Sequence, residues 1–533
     1  MVGSILLAIF SALLLILSFP RFDAAFLVWI ALVPLLIAVK NKSLKFAFGL
    51  SFLVGFLFFM GVFYWTNVVS GFEVGDFFLV TACSGLYFGL FGLLLNFVSK
   101  HSTPSPVIIA AAIWVTIEFI RSNADFLSWP CALLGHSQYL NLPIIQISSM
   151  AGVYGISFLI VMANVAIAEF FSSYLFTVRQ PSSRVKVMGN RRTSYLQSIV
   201  VAIIVLGFSL AYGFNVLSKD FEGDKVKITI IQGNIPPGAK WTREFSKQIV
   251  NKHIKLTEEA SGGHNASLII WPEGAIRERL GDNILLLRRI LNLAKKTNTH
   301  LLIGSSRAPK FGPREFRRKA RFNSAFLISP QKRIEGQYNK MRLMPFSEYL
   351  PHKDLLPWPS RIASAAGNFV PGSEWTVFNP GPAKFGVLIC WENFFPALFR
   401  KYAKKDVDLM VNITNEARFG ETAAPYQFLA INVFRAAENR VPIVRAANTG
   451  ISCFIDPHGR ITGRVSENSK DVFVEGYLTQ EIRVSQKKTF YTDYGDVFAF
   501  ACLILTIMVV AISGFKSQRD SIVEMALTSK GSH

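Results

Sequence analysis

The residues that could carry chemistry lie at the ends of apolar runs. Cys390 follows the run 385–389 in KFGVLICWENFFP (384–396). This pattern predicts a buried strand that ends in a sharp turn, with the thiol held exposed at the strand's end. A thiol in that position could be a nucleophile. The alternative is an ordinary core cysteine, since cysteine is among the residues that are most often buried.

A cysteine nucleophile needs a base to accept its proton and a donor to stabilise the oxyanion. None of the eight histidines lies in a recognisable motif, so a Cys–His pair is the weaker alternative. Glu273 in IIWPEGA follows an apolar run, where partial burial would raise its pKa towards that of a useful base. Lys340 and Glu348 lie together in GQYNKMRLMPFSEYLP. Taken singly, each is also typical of a turn carboxylate or a solvated lysine.

The composition of the chain is both apolar and basic. Of its 533 residues 51% are hydrophobic, phenylalanine alone numbers 47, and the net charge is +21. The two properties coexist when apolar residues are concentrated in membrane spans and basic residues lie outside them. The five cysteines show no paired spacing, which disfavours a disulfide framework and a CxxC-type zinc site.

Long apolar runs occupy the first 217 residues and recur once near the end of the chain. They predict about eight membrane-spanning helices, because a span needs roughly 17–25 residues. The predicted spans lie near 4–19, 24–39, 46–69, 76–98, 105–121, 155–176, 196–217 and 496–515. The first run lacks a basic N-terminal region and further spans follow it, so we expect it to be retained rather than cleaved.

The charge of the connecting loops predicts the orientation in the membrane. Positively charged loops stay in the cytoplasm, and twelve lysines and arginines lie on one side against two on the other. Both termini are therefore predicted to be cytoplasmic, and the interval 218–493 to face the periplasm of a double-membraned bacterium. That compartment disfavours a nucleic-acid partner. The twelve are Lys40, Lys42, Lys45, Lys100, Arg179, Arg184, Lys186, Arg191, Arg192, Lys516, Arg519 and Lys530, and the two are Arg21 and Arg121.

The interval 218–493 predicts an α/β domain. Helical patterns such as NILLLRRILNLAKK (283–296) separate short β-rich runs, and about 270 such residues can bury a substantial core. We therefore predict a seven-helix transmembrane domain at 1–217, a catalytic domain at 218–493, and an eighth helix with a cytoplasmic tail at 494–533. The β-rich runs are 225–233, 266–273, 300–306, 324–330, 385–390, 408–414, 442–448 and 451–457.

Glu273 in WPE, Lys340 in YNK and Cys390 in ICWE resemble the Glu-Lys-Cys triad of the nitrilase superfamily, whose fold is an αββα sandwich. Membrane helices on both sides of such a domain are found in one branch, the apolipoprotein N-acyltransferases. The resemblance covers nearly the whole chain. Further matching stretches are SWPCALLGHSQ (128–138), GVYGISFL (152–159), QGNI (232–235), PFSEYLP (345–351), NITNEARFG (412–420) and VRAANTGIS (444–452).

The resemblance implies that Glu273 is the general base, Lys340 the oxyanion stabiliser and Cys390 the nucleophile. In the family reaction the thiolate attacks the sn-1 ester of a phospholipid, typically phosphatidylethanolamine, and gives a thioester enzyme and a lysophospholipid. The α-amine of a diacylglyceryl-cysteine apolipoprotein then takes the acyl chain as an amide, which completes bacterial lipoprotein maturation. The resemblance implies no metal or cofactor and places the enzyme in the bacterial inner membrane.

Supporting roles are also implied by the resemblance. Glu348 and Glu392 would position the lysine and the loops, and Trp241 and Trp391 would line the acyl pocket. The stretch WPEGAIRER lacks the threonine and proline that commonly follow the glutamate. The family usually has tyrosine, tryptophan and histidine at the positions that Trp391, Arg418 and Phe428 occupy here.

The stretch 351–372 could form a mobile lid that dips into lipid, because Leu355, Leu356, Trp358 and Phe369 stand there among prolines and glycines. A packed loop with buried aromatic residues is the alternative. The basic run 310–321 could meet anionic headgroups, or could be a solvated loop.

Two other functions compete with acyl transfer to lipoproteins. A membrane-tethered amidase of the nitrilase type would hydrolyse small amides in a narrow, closed pocket. A transporter or structural membrane protein with a degenerate domain would bury charged residues along its spans.

Overall fold

The computed structural model describes residues 1–101, 106–179, 185–219, 221–237, 242–263, 265–309, 315, 319–484 and 488–530. The chain forms two compact units. The membrane-helix unit comprises Met1–Asn67, Phe72–Ser218 and Tyr494–His533, and the α/β unit comprises Val68–Gly71 and Lys219–Asp493.

Apolar helices make up the membrane-helix unit. Among the described residues, five helical stretches are long and apolar enough to cross a membrane: Leu44–Val62, Val74–Lys100, Ser148–Ser173, Leu196–Leu217 and Val497–Asp520. The helices of the unit are α1 (Val2–Leu17), α2 (Val28–Ala31), α3 (Val33–Val39), α4 (Leu44–Val62), α5 (Val74–His101), α6 (Pro106–Ser122), α7 (Leu142–Ile145), α8 (Ser148–Arg179) and α9 (Val185–Leu217), with α16 (Val497–Lys530) from the end of the chain.

The predicted count of about eight spans is not confirmed. The runs 4–19 and 24–39 form shorter apolar helices, and the run 105–121 forms α6, which has 17 residues. The second run is broken between α2 and α3, where Pro34 stands in the first turn of α3. Proline lacks a backbone N–H and interrupts a helix that would otherwise continue.

A buried asparagine compensates for the break between α2 and α3. The Oδ1 atom of Asn164 on α8 accepts from the Leu32 N–H at 2.8 Å, and its Nδ2 atom donates to the Val28 carbonyl at 2.9 Å. Backbone polar groups in an apolar surrounding need such partners, because no water is available to them. The helix break is therefore tolerated.

The two motifs of the membrane half that matched the family contact one another. The Gly135 N–H donates to the Ser157 Oγ atom at 2.9 Å, and the Leu134 N–H donates to a carboxylate oxygen of Glu118 at 2.8 Å. A Cβ atom on Gly135 would lie 2.7 Å from the Val153 carbonyl oxygen, so the two segments are in close contact. The largely non-helical stretch 123–141 is thus held by polar side chains of α6 and α8.

The α/β unit contains two six-stranded sheets. Their strand orders are β12-β1-β2-β3-β4-β5 and β11-β10-β9-β8-β7-β6. The strands are β1 (Asp224–Gln232), β2 (Leu268–Ile270), β3 (His300–Arg307), β4 (Phe322–Ile328), β5 (Ile334–Asn339), β6 (Val377–Phe378), β7 (Phe385–Ile389), β8 (Leu409–Thr414), β9 (Ile443–Ala447), β10 (Cys453–Ile455), β11 (Ile461–Arg464) and β12 (Gly476–Val484).

Helices cover the outer faces of the two sheets, so the unit has the predicted helix–sheet–sheet–helix layers. The first sheet packs on α10 (Arg243–Ser261) and α11 (Ile284–Thr297) through a core that includes Trp271, Ile290 and Ile303. The second sheet packs on α13 (Pro396–Ala403) and α14 (Ala424–Asn439), and the sheets meet through β1 and β9 and through β4 and β7. Two short helices, α12 (Ser360–Ala365) and α15 (Phe490–Tyr494), complete the unit.

All eight predicted β-rich runs contain a strand, but the strands β5, β6, β11 and β12 were not predicted. Each of the four is an edge strand of its sheet. Such strands carry polar residues on their exposed sides, and therefore lack the apolar run that marks a central strand.

Parallel strands place the candidate site residues at one edge of each sheet. The parallel pairs are β1/β2, β2/β3, β7/β8 and β8/β9. Neighbouring parallel strands end at the same edge of their sheet, and loops that follow them therefore meet there. The turn with Glu273 follows β2, Cys390 follows β7 and Asn415 follows β8. The topology thus collects residues that are up to 142 positions apart in the chain.

Replacing Gly304 with alanine is expected to destabilise the turn that carries Glu273. A Cβ atom on Gly304 in β3 would lie 2.3 Å from the Pro272 carbonyl oxygen and 2.8 Å from the Glu273 Cα atom, so backbone would have to move. Overpacking of this kind costs about 1–3 kcal/mol. We expect a lower apparent melting temperature of the purified protein in detergent.

Gly281→Ala is the matched control, because a Cβ atom there would meet nothing within 4 Å. Equal melting temperatures for G304A and G281A would contradict the close packing of β3 against the Glu273 turn.

Candidate active site

Cys390 occupies a strained turn directly after a buried strand. All five residues of β7 are buried, and Cys390 begins a short 3₁₀ helix with a left-handed φ of 58°. A non-glycine residue in this region costs about 1–3 kcal/mol and persists where its surroundings hold it. Asn412 supplies part of that support, since its Nδ2 atom donates to the Leu388 carbonyl at 3.0 Å and to the Cys390 carbonyl at 3.2 Å.

The predicted strand and turn at Cys390 are confirmed, but the prediction of an exposed thiol was wrong. Cys390 is only partly accessible to solvent. The residues after Lys340 explain this, because they are hydrogen-bonded to Glu392, two positions after the cysteine, and cover the turn.

Glu273 stands in a turn whose next residue, Gly274, has a φ of 66°, a conformation that glycine adopts without strain. Both of its carboxylate oxygens accept hydrogen bonds. Oε1 accepts from the Asn323 Nδ2 atom at 2.7 Å, and Oε2 accepts from the Asn415 backbone N–H at 2.9 Å. The side chain is therefore oriented from both sheets.

Lys340 is buried between two carboxylates. Its Nζ atom lies 2.8 Å from Oε2 of Glu348 and 3.8 Å from Oε1 of Glu273. The Asn323 amide also joins these carboxylates, since it donates to Glu348 Oε1 at 3.0 Å as well as to Glu273. The structure thus brings together three residues that the sequence predicted separately, with Cys390 within their electrostatic reach.

The pair Lys340–Glu348 is ionised. Burial by itself would lower the pKa of Lys340, but the negative charges of Glu348 and Glu273 and the hydrogen bond to Glu348 outweigh it and raise the pKa above its usual value. Burial would likewise raise the pKa of Glu348, but Lys340 and the hydrogen bonds from Met344 and Asn323 hold it below its usual value. A permanent positive charge therefore stands at the site, as stabilisation of an oxyanion requires.

Burial and the charge of Glu273 favour the protonated form of the Cys390 thiol. Burial raises the pKa of the thiol to about 12, and the neighbouring Glu273 raises it while Lys340 lowers it. Only the thiolate is a strong nucleophile, so a nucleophilic Cys390 would have to lose this proton during attack on a substrate. Glu273 is the group at the site that is suited to accept this proton.

Glu392 links the cysteine turn to the segment that carries the lysine. Its carboxylate is fully buried and accepts from the backbone N–H groups of Ile389, Met341 and Arg342 at 2.8–2.9 Å. The Tyr338 hydroxyl donates to both of its oxygens at 2.9 Å. Burial raises the pKa of Glu392 to about 7, although these donors lower it. Its predicted supporting role stays a prediction, with contacts that suit it.

Of the two tryptophans predicted to line an acyl pocket, Trp391 lies within the described residues. Trp391 is buried, its Nε1 atom donates to the Arg342 carbonyl at 2.8 Å, and its ring packs edge-on against Phe395 with centroids 4.8 Å apart. Trp241 lies outside the described residues. The pocket-lining role stays a prediction for both.

Two of the four predicted lid residues pack against neighbouring groups, although both stay partly exposed. Trp358 donates from Nε1 to the Pro351 carbonyl at 2.7 Å and packs against Phe346, and Phe369 lies under the guanidinium of Arg321 at 4.7 Å. Leu355 is 80% exposed and Leu356 is partly exposed. The segment thus has features of both a packed loop and a lid, and the lid function stays a prediction.

Asn323 and Asn415 are site residues that the sequence interpretation did not identify. Asn323 is the second residue of β4, and Asn415 directly follows β8. A polar residue at such a strand end was the available signal for Asn415, which lies in the noted stretch NITNEARFG. Asn323 had no comparable signal, because its partners Glu273 and Glu348 are 50 and 25 positions away.

Comparisons with known proteins show the family to which the chain belongs. The family model described as carbon-nitrogen hydrolase matches residues 227–485, and that described as apolipoprotein N-acyltransferase N-terminal domain matches residues 11–166. The chain is 36% identical over 518 residues to an apolipoprotein N-acyltransferase of Geobacter metallireducens, with 95% of each chain covered. The chain belongs to the apolipoprotein N-acyltransferase family.

Other similar proteins include the apolipoprotein N-acyltransferase of Haemophilus influenzae, which is 28% identical, with 97% of this chain and 96% of the relative covered. A solved amidase from Nesterenkonia sp. superposes with a TM-score of 0.37 at 18% identity, covering 49% of this chain and 92% of the amidase. The family membership rests on the relative that is 36% identical over 95% of each chain. The two matched family regions together reach from the membrane helices to β12.

Replacing Glu273 with glutamine is expected to have two opposite effects on Cys390: a lower pKa of the thiol and a slower acylation. The negative charge of Glu273 raises the pKa of the Cys390 thiol, so its removal should lower that pKa and increase the thiolate fraction. Acylation of Cys390 should nevertheless slow by about 10²–10⁴-fold, because the proton acceptor is lost. The pH dependence of alkylation by iodoacetamide measures the first effect, and intact mass after reaction with an activated ester measures the second.

Glu374→Gln, a change at an exposed position, serves as the control and should alter neither property. Undiminished acylation of Cys390 in E273Q would exclude Glu273 as the base.

Replacing Glu392 with glutamine is expected to lower the stability by about 1–3 kcal/mol, because an amide NH₂ would face backbone donors that now bind a carboxylate.

The pH dependence of the stability should also change in E392Q. The pKa of Glu392 rises from 4.5 to about 7 on folding, so the folded chain binds this proton more tightly than the unfolded one. Its contribution to stability therefore falls as the pH increases from about 4.5 to about 7. Melting curves at several pH values should show that E392Q lacks this part of the decline.

Tyr338→Phe is the comparison variant, since it removes one donor to the carboxylate and retains the titrating group. Parallel pH profiles of stability for E392Q and the unaltered protein would show that Glu392 does not titrate in this range.

Proposed function

We propose that this chain transfers an acyl group in two steps through a thioester on Cys390. In the first step the sulfur attacks an ester carbonyl carbon while Glu273 takes the thiol proton. Lys340 stabilises the oxyanion, the carbon–oxygen bond breaks, and Glu273 returns the proton to the departing alcohol. The cluster of Glu273, Lys340 and Cys390 supports this sequence, because it supplies a base, a fixed cation and a nucleophile at one place.

In the second step a neutral amine attacks the thioester. Glu273 takes a proton from the attacking nitrogen, the carbon–sulfur bond breaks, and the thiolate regains the proton. A thioester suits this step because it reacts with amines more readily than an oxygen ester does. No further reactant is needed, and the enzyme returns to its starting state.

The substrates that we propose are those of the family. The donor is a phospholipid resembling phosphatidylethanolamine, which loses its sn-1 acyl chain. The acceptor is the N-terminal amine of a diacylglyceryl-cysteine apolipoprotein. The observation that carries this proposal is the similarity to apolipoprotein N-acyltransferases over 95% of the chain. A small-amide hydrolase would not require the matching N-terminal membrane region.

The proposed setting is the bacterial inner membrane, with several passes and both termini in the cytoplasm. We propose a transmembrane domain at 1–217, a periplasmic catalytic domain at 218–493 and a terminal helix with a tail at 494–533. The distribution of loop charge, twelve basic residues against two, supports this orientation. The apolar helices support the membrane location.

The purified chain incubated with phosphatidylethanolamine alone is expected to gain the mass of one acyl group. The adduct should form because the thioester is stable until an amine arrives, and it should be absent from Cys390→Ala. Addition of a diacylated lipopeptide with a free N-terminal amine should remove the adduct and yield the N-acylated lipopeptide. Intact mass spectrometry follows both steps.

Cys453→Ala is the matched control, because Cys453 is buried in β10 and should not be acylated. Absence of an adduct on the unaltered chain, once rapid hydrolysis is excluded by assay of free fatty acid, would contradict the proposal. Release of the acyl group by water at the same rate with and without the lipopeptide would favour the amidase alternative.

A further inference from the structure

Three arginines lie on the turns that carry the site residues. Arg277 is four positions after Glu273 in the loop after β2, and Arg321 is two positions before Asn323 at the start of β4. Arg418 lies in the short 3₁₀ helix Ala417–Phe419, three positions after Asn415. Arg277 and Arg418 are exposed and Arg321 is partly exposed. None of the three is a member of the proposed triad.

A series of hydrogen bonds joins the segments of these arginines. Near Arg277, the Arg279 NH2 group donates to the Ala320 carbonyl at 3.1 Å. The next residue, Arg321, donates its backbone N–H to the Asn368 carbonyl at 3.2 Å. The segments of Arg277 and Arg321 are thereby linked to the segment 367–370.

The same segment continues to the third arginine. The Gly367 N–H donates to the Ser347 carbonyl at 2.9 Å, and the Arg418 NH1 group donates to the Ser347 Oγ atom at 2.7 Å. Ser347 directly precedes Glu348, the partner of Lys340. The segments of the three arginines are therefore joined next to Glu348, and the charges of Arg321 and Arg418 reach Arg277.

The positive charges of these arginines act on one another. Partial burial lowers the pKa of Arg277, and the charges of Arg321 and Arg418 lower it further. Arg321 is held by an aromatic ring and Arg418 by a hydroxyl, and among the described residues neither guanidinium is paired with a carboxylate. Two carboxylates near Arg418 have other partners: Glu416 pairs with Arg445, and Glu421 lies 3.8 Å from Lys470.

We propose that Arg277, Arg321 and Arg418 bind the phosphodiester of the phospholipid donor, an inference that rests on the proposed function. Guanidinium groups are suited to phosphate, since they offer several N–H donors in a fixed plane. Between the sn-1 acyl carbon and the phosphorus of a glycerophospholipid lie only two oxygens and the three glycerol carbons. An ester placed at Cys390 therefore brings its phosphate close to the residues that surround the site.

The charge of the cluster selects the donor rather than the acceptor. A protonated N-terminal amine would be repelled by three guanidinium groups, whereas an anionic phosphodiester is attracted. The arginines thus act in the first half of the reaction, in which the lipid is bound and the thioester forms. They are binding residues and take no part in proton transfer.

The test compares two donors in single-turnover acylation of the full-length protein in detergent. Phosphatidylethanolamine carries the phosphodiester, and a diacylglycerol with the same acyl chains lacks it. Intact mass gives the acylation rate at Cys390 for each donor. We expect the unaltered protein to prefer phosphatidylethanolamine, and Arg277→Gln and Arg418→Gln each to lower the ratio of the two rates about tenfold, the size expected for a hydrogen bond to a charged group. Added salt should lower the ratio in the unaltered protein, because it screens the attraction.

Arg333→Gln is the matched control. Arg333 is exposed in the turn between β4 and β5, at the opposite end of β4 from Arg321, and its loss should leave the ratio unchanged. A ratio that is unchanged in R277Q/R418Q, or equal losses with both donors, would overturn the phosphodiester site while leaving the acyltransferase intact. If the unaltered protein is acylated by neither donor, the proposed function itself fails.

Discussion

The buried ammonium group of Lys340 is the charge on which the α/β unit depends. A charge taken out of water is costly unless opposite charges and hydrogen bonds replace the solvent. Glu348 and Glu273 supply the charges, and Asn323 donates to both carboxylates. The loop 341–350, the turn after β2 and the start of β4 must therefore be in place together before the lysine can be buried. A site with a fixed cation follows from that requirement.

A second buried group, the carboxylate of Glu392, holds the turn of Cys390 beside the segment that carries Lys340. Cys390 has a left-handed φ that residues other than glycine seldom adopt. Two positions later, the Glu392 carboxylate accepts from the backbone N–H of Ile389 in β7 and from those of Met341 and Arg342 after Lys340. The cost of the strained conformation is offset by these hydrogen bonds. The position of the thiol relative to the lysine is thus set by a carboxylate that takes no direct part in the proposed chemistry.

The membrane-helix unit satisfies the same requirement in an apolar surrounding. Asn164 binds the backbone groups freed at the break between α2 and α3, and Glu118 and Ser157 accept from the start of the short 3₁₀ helix Leu134–Gln138. Backbone that is not helical persists among apolar helices only where polar side chains bind it. In both units, buried polar side chains bind the backbone where the chain departs from regular α-helix or strand.

The sequence by itself determined the division into apolar helices and an α/β domain and the eight central strands, because apolar runs mark them. It also predicted Glu273 and Cys390 as candidates from their positions at the ends of such runs, whereas the predicted role of Lys340 came from the resemblance to a known family, since no predicted apolar run ends there. It did not determine how many helices are long enough to span a membrane, since proline and polar partners break the second run. Nor did it determine the partial burial of Cys390, the role of Asn323 in joining two carboxylates, or the meeting of Arg277, Arg321 and Arg418. These were decided by tertiary structure, because each depends on loops that are far apart in the chain and are brought together only where parallel strands of two packed sheets end.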